Sequence, residues 1–216
     1  MGGERTLLSI GHGYSAAALA RRLLGAGWRV IGTTRDPARA GAMRETGVEP
    51  LLWPGGAGGE AEGVAAALGE AGHVLSSVPP DAEGDPVLRA LAPALRRAAP
   101  RLAWVGYLST TGVYGDRAGG WVDETDACRP ASERGRRRLA AESAWLALHR
   151  ETGLPVHVFR LAGIYGPGRS PFERLRAGTA RAIVKPGQVF SRIHVADIAA
   201  VLSASMAAPD PGTVYN

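Results

Sequence analysis

Residues 5–35 constrain this chain more than any other stretch. An apolar run ends at Ile10 and gives way to Gly11-His12-Gly13-Tyr14-Ser15-Ala16. An alanine- and leucine-rich run to Gly27 follows, and then Trp28-Arg29-Val30-Ile31-Gly32-Thr33-Thr34-Arg35. The spacing predicts a strand, a tight turn, a helix and a second parallel strand. Gly11 suits the turn. Gly13 lacks a Cβ, so another group can approach the backbone closely, and Ala16 lets the helix pack near the strand. The helix start then offers free N–H groups and a partial positive charge to an anion.

This G-x-G-x-x-A arrangement is the pattern of a dinucleotide-binding unit, with the pyrophosphate expected on Gly11, Gly13, Tyr14, Ser15 and Ala16. The end of the second strand indicates which dinucleotide. An acid there would bind a ribose 2′-hydroxyl, but this chain has Thr34 and Arg35. A guanidinium can pair with a 2′-phosphate, so NADP is the expected cofactor, with NAD as the alternative. The bland reading of Arg35 is a solvated loop residue. Asp36 is expected to cap a short helix that starts at Pro37.

The order of apolar and amphipathic runs continues the alternation. Strands are expected near 5–10, 28–33, 48–52, 73–78, 102–107 and 155–160, and helices near 14–26, 60–71, 85–98 and 134–152. Such alternation predicts an α/β fold, a Rossmann-type doubly wound parallel sheet. Ligands in these sheets sit at the carboxyl ends of strands. The loops at Ser77-Val78-Pro79 and at 108–112 should therefore face the cofactor. Glycine-rich residues 54–59 read as a surface connection. Residues 1–162 are expected to form the nucleotide-binding domain. Residues 163–193 are read as a substrate-side region, with a turn-rich loop over 163–169, a short helix over 171–179 and two short strands around Lys185-Pro186-Gly187. Residues 194–216 are read as a helix and a strand returning to the core.

The chain has 216 residues and 45% hydrophobic content, enough for one core. No apolar run approaches membrane-spanning length, and the start lacks the regions of a signal peptide, so no membrane association and a cytoplasmic location are expected. Cys128 is the single cysteine, and the five histidines lack paired ligand spacing, so no metal is expected. The net charge is +5, carried by 24 arginines and Lys185. The densest run, Arg134-Gly135-Arg136-Arg137-Arg138, reads as a helix with Arg134 and Arg138 on one face. It has no interleaved aromatics, so a solvated helix start with cofactor contacts is favoured over nucleic acid.

Together, GHGYSA (11–16), LSTTGVYGD (108–116), RLAAE (138–142), FRLAGIYGPGR (159–169) and RIHVADIA (192–199) resemble the extended branch of the short-chain dehydrogenase/reductase superfamily. That branch comprises NAD(P)-dependent epimerases, dehydratases and reductases. The resemblance implies a small-molecule substrate, hydride chemistry and a homodimer. Its usual catalytic set is a Ser/Thr after the fifth strand and a Tyr-x-x-x-Lys on the next helix. Aligned on VYG, the first role falls on Thr110; aligned on LAAE, the other two fall on Arg134 and Arg138. No Tyr-x-x-x-Lys occurs anywhere in the chain, and Arg134 cannot donate a proton because guanidinium does not deprotonate in proteins. The resemblance is therefore to atypical members. Tyr114 is the candidate substitute proton donor, with Tyr165 beside it, and packing of both rings against loop and ribose is the alternative. Arg138 is expected on cofactor ribose or phosphate. His194 and Asp197 are read as capping the last helix. Family members usually continue past the strand at 213–215, so the chain reads as shortened or as a minimal form. An oxidoreductase or epimerase-like enzyme and a non-catalytic NADP(H)-binding sensor or scaffold both remain open.

Overall fold

The computed structural model describes residues 5–55, 59–181, 187 and 189–216. The chain runs β1 (Thr6–Ile10), α1 (Tyr14–Gly25), β2 (Arg29–Thr34), α2 (Pro37–Glu45), β3 (Glu49–Leu52), α3 (Gly59–Glu70), β4 (His73–Ser76) and α4 (Pro86–Ala98). It continues with β5 (Trp104–Thr110), α5 (Glu133–Thr152), β6 (Val156–Leu161), β7 (Gly163–Tyr165), α6 (Pro171–Arg176), β8 (Arg192–His194), α7 (Val195–Ala207) and β9 (Val214–Tyr215). One seven-stranded sheet has the order β3-β2-β1-β4-β5-β6-β9, and every pairing in it is parallel.

Parallel strands covered on both faces must be apolar at odd and even positions alike. β1 and β5 meet this: Leu7 and Trp104 enter one buried cluster, Leu8 and Val105 the other. The first cluster is closed by α1 and α7 through Leu19, Ile198 and Leu202. On the opposite face α3, α4 and α5 close the second through Val64, Leu91 and Trp145. Each such side chain contributes about 1.5–3 kcal/mol by leaving water. Two residues apart on β5, Trp104 and Gly106 share a face. The Trp104 indole occupies the space where a Cβ at Gly106 would stand. It also stacks on His157 at 5.8 Å and donates to Ser205 Oγ at 2.9 Å.

The strand order reverses between β1 and β4. Chain crossovers leave β1 toward β2 and return through β4 toward β5. Crevices open at such a switch point, beyond the carboxyl ends of the strands.

Outside the main sheet the structure departs from the expected pattern. Residues 163–165, expected within a loop, form β7 and pair in parallel with β8. Short range explains the difference, since three residues rich in turn formers show no period of their own. The expected strands around Lys185-Pro186-Gly187 lie largely outside the described residues. So does the middle of the glycine-rich connection at 54–59. Asp36 caps α2, accepting from Ala38 N at 2.9 Å, and Pro37 occupies the first turn as the sequence indicates. His194 caps α7 through Nδ1, which accepts from Ala196 N at 3.3 Å.

Candidate functional site

A cleft of about 550 Å³ opens at the switch point. One wall is the turn between β1 and α1. Gly11 has φ +78, and a Cβ there would meet Val78 Cγ2 at 2.9 Å, so the turn and the β4 loop touch backbone to side chain. Gly11 N donates to Thr33 Oγ1 at 2.8 Å, which ties the turn to β2. A Cβ on Gly13 would meet nothing nearer than Gly11 O at 3.8 Å, so the space above it is open. Ala16 is fully buried against the core.

The start of α1 differs from those of α2, α4, α5 and α7. Side chains cap α2, α4, α5 and α7, from Asp36, Asp85, Ser132 and His194. Gly13 gives α1 no side-chain cap. First-turn N–H groups therefore face the cleft without an internal acceptor. Ser77, which also lines the cleft, has a buried hydroxyl with no partner among the described residues.

His12, between the two glycines, lies under the turn rather than in the cleft. It is buried against Gly32, and its Nδ1 lies 3.2 Å from Ser9 Oγ. Burial, helped by the Arg39 charge, pushes its pKa down to about 4, so the imidazole is neutral at pH 7. Arg39 in turn donates to His12 O at 3.2 Å.

The facing wall comes from β5 and α5. Arg138 is buried and donates through one nitrogen to Leu108 O at 2.7 Å and to Tyr107 Oη at 3.2 Å. Burial pushes the Tyr107 phenol well above its usual range, so it is no acid. Ser109 reaches the cleft but donates its proton to Glu142. That carboxylate is itself buried and accepts from Arg160 at 3.0 Å. Thr110 Oγ1 accepts from Gly112 N at 3.1 Å, which starts a 3-10 turn and leaves the hydroxyl proton unengaged. Arg134 and Arg138 both line the cleft, four residues apart on α5. A third guanidinium, Arg169, comes from the loop after β7; it sits 5.6 Å from the Tyr14 ring, whose hydroxyl donates to Pro167 O at 2.8 Å.

The cleft thus gathers Gly11, Gly13, Tyr14, Ser15 and Ala16 with Ser77 beside them, and Thr110 and Arg138 on the β5–α5 wall. Four further candidates are not among its lining residues. Thr34 turns its hydroxyl to Asp36 N at 3.2 Å, and Arg35 stands exposed at the end of β2. Val78 packs on Gly11, and Pro79 is exposed. Tyr114 is placed elsewhere. Only 1% exposed, it receives a bond from Arg160 at 2.7 Å and donates to Asn216 at 2.8 Å. Tyr165 stacks edge-on against His194 at 5.0 Å and does not line the cleft.

Ser109 and Arg169 fall in stretches expected on the ligand side, 108–112 and 163–169, but neither was singled out, and Arg39, which stands behind the glycine turn, was missed. Ser109 was overshadowed by Thr110, since only the pleat of β5 and the distant Glu142 distinguish the two hydroxyls. Arg169 sits in a loop whose position depends on Tyr14, 155 residues earlier. Arg39 lies in the first turn of α2 and donates to the backbone of the glycine turn, a contact with no local sequence signal. Among the described residues no helix is long and apolar enough to cross a membrane, and no group of three or more His, Cys, Asp or Glu could hold a metal ion.

Comparison with known proteins agrees with this geometry. Protein YeeZ of Escherichia coli K12 is 31% identical over 221 residues, covering 96% of this chain and 75% of that protein. A functionally unknown conserved protein from Silicibacter pomeroyi has a solved structure that is 56% identical, covers 98% of this chain and 70% of its own, and superimposes with a TM-score of 0.86. The dTDP-glucose 4,6-dehydratase of Bacillus anthracis, solved in complex with NAD, shares the fold at a TM-score of 0.77 with 18% identity, over 98% of this chain and 74% of its own. The profile of the NAD dependent epimerase/dehydratase family matches residues 87–216, the part that carries the α5 wall, while the relatives extend the likeness through the glycine turn. The parallel sheet, the glycine turn and these matches agree: the chain belongs to the NAD dependent epimerase/dehydratase family.

Proposed function

We propose that this protein binds NADP(H) across the switch-point cleft and acts as an oxidoreductase or epimerase-like enzyme on a small carbonyl or hydroxyl substrate. The observation that carries the reading is the uncapped start of α1, opposed among the described residues by three guanidiniums and no carboxylate. That donor set fits a dinucleotide. Backbone N–H groups at Tyr14–Ala16 and the Arg169 guanidinium would hold the pyrophosphate. Ser77 Oγ would find there the partner it otherwise lacks among the described residues. The free nitrogens of Arg138 point to ribose hydroxyls.

Asp36 supports NADP over NAD. It is the acid nearest the end of β2, and its carboxylate caps α2. Arg35, exposed beside it, is left to meet a 2′-phosphate. A bound nicotinamide would supply or accept a hydride. Thr110, whose proton is unengaged, would orient a substrate oxygen, and Ser109, whose hydroxyl donates to Glu142, can only accept a hydrogen bond from the cleft side.

A second reading is a non-catalytic NADP(H)-binding sensor or scaffold. It is favoured by one observation: the phenol of Tyr114 is held between Arg160 and Asn216 rather than offered to the cleft. A cytoplasmic homodimer is part of both readings.

Calorimetric titration with NADPH and NADH tests the cofactor, and loss of NADPH absorbance with carbonyl substrates separates the two readings. NADPH should bind more tightly than NADH. Arg35→Ala should weaken NADPH by about tenfold or more and leave NADH unchanged. Equal affinity of the wild-type protein for both cofactors would remove the NADP assignment.

A further inference from the structure

Glu133 opens α5 one residue before Arg134, yet it does not neutralise it. Its carboxylate pairs with Arg136 at 2.9 Å and with Arg137 at 3.1 Å, both away from the cleft. Arg134 is exposed, lines the cleft, and makes no hydrogen bond or ion pair among the described residues. The wall around it is tightly built. A Cβ on Gly135 would meet Gly112 O at 2.9 Å, so the first turn of α5 is pressed against the turn that follows Thr110. Ser132 fixes that turn by accepting from Gly135 N at 3.1 Å. Two donors therefore share this wall with no acceptor of their own among the described residues: the Arg134 guanidinium and the Thr110 hydroxyl proton.

A dinucleotide does not use them both in the reading above. Its pyrophosphate takes the start of α1 and Arg169, and its ribose takes Arg138. We infer that Arg134, with Thr110, binds a carboxylate or phosphate on the second ligand of the cleft, so that the substrate is a small anion rather than a neutral carbonyl compound. A planar guanidinium with five donors matches either group, and no carboxylate among the described lining residues competes for it.

This rests on the dinucleotide reading, and the test keeps the two apart. Inorganic phosphate and oxalate are titrated calorimetrically into the NADPH-loaded protein at fixed ionic strength, for wild type, Arg134→Ala, Arg134→Lys and Arg169→Ala. At least one probe should bind the loaded wild type, about tenfold or more weaker to Arg134→Ala, with partial recovery in Arg134→Lys; Arg169→Ala, which weakens the dinucleotide itself, is compared at saturating NADPH and should then lose less probe affinity than Arg134→Ala. Preference for one probe tells carboxylate from phosphate. NADPH affinity itself should stay within about twofold in Arg134→Ala. Probe binding that is absent from the loaded wild type, or indifferent to Arg134, overturns the inference. If no dinucleotide binds at all, the cofactor reading fails by itself. The probes are then titrated into the unloaded protein, where dependence on Arg134 sustains the anion site and dependence on Arg169 alone refutes it.

Discussion

The two walls of the cleft are made in different ways. The Gly11–Ala16 wall is backbone: small residues, an uncapped helix start and one neutral buried histidine. The β5–α5 wall is side chain: Ser109, Glu142 and Arg160 form a buried chain of bonds that continues to Tyr114 and Asn216. A backbone wall gets its shape from what is missing, so an added side chain collides, as at Gly11, or fills the ligand's space, as at Gly13. A side-chain wall gets its shape from mutual compensation, so it tolerates no deletions.

The sharpest way to break that contrast is to remove one charge from the second wall. Glu142→Ala would leave Arg160 buried and uncompensated, and should cost about 3–5 kcal/mol in urea unfolding. Glu142→Gln, of the same shape, should recover only part of it, because a neutral amide no longer balances the guanidinium. An equal loss in both variants and in the Glu142→Ala/Arg160→Met double variant would show that shape rather than charge governs this wall.

Adding one methyl group tests the first wall. Gly11→Ala forces an L side chain into φ +78 and against Val78, and should cost about 1–3 kcal/mol of stability with a parallel loss of dinucleotide affinity. Unchanged stability would mean the turn can relax, and that the backbone wall is less fixed than its geometry indicates.

The smallest effect is pH-dependent and sharpens the comparison at His12. Its folded pKa, about 4, lies below the ordinary 6.5, so the native state keeps it neutral while the unfolded chain takes up a proton. Stability is therefore complete above pH 6.5, falls as pH drops through the window from 6.5 to about 4, and levels below it. The loss between pH 6.5 and 5.5 should be about 1 kcal/mol per histidine. His73, which burial also pushes down to about 4, adds a similar share. His12→Gln should remove one share in chemical denaturation at the two pH values.

The same contrast explains which parts of the molecule were legible in its sequence. The backbone wall lies within six consecutive residues, and each glycine there has a local reason, so spacing alone located it. All seven strands of the main sheet were also visible, the central ones because both-face burial writes a continuous apolar run, although β3 at the edge is partly exposed. Nothing local marks the second wall. Ser109 and Glu142 are 33 residues apart, and Tyr114 meets Asn216 across 102. A tyrosine in a VYG loop looks available for chemistry until the fold closes Arg160 over it at 4.9 Å. Thr110 and Ser109 are neighbours of similar chemistry, and only the pleat of β5 decides whose proton is free.

Trp104 and Gly106 have a bearing on how this sequence can change. The indole fills the volume above the glycine, so any side chain at 106 collides with it, and any smaller residue at 104 leaves a void between β5 and α7. Neither position can move alone without loss. The two form a single unit of variation, and a lineage that exchanges the pair must pass through a less stable ancestor or change both codons together.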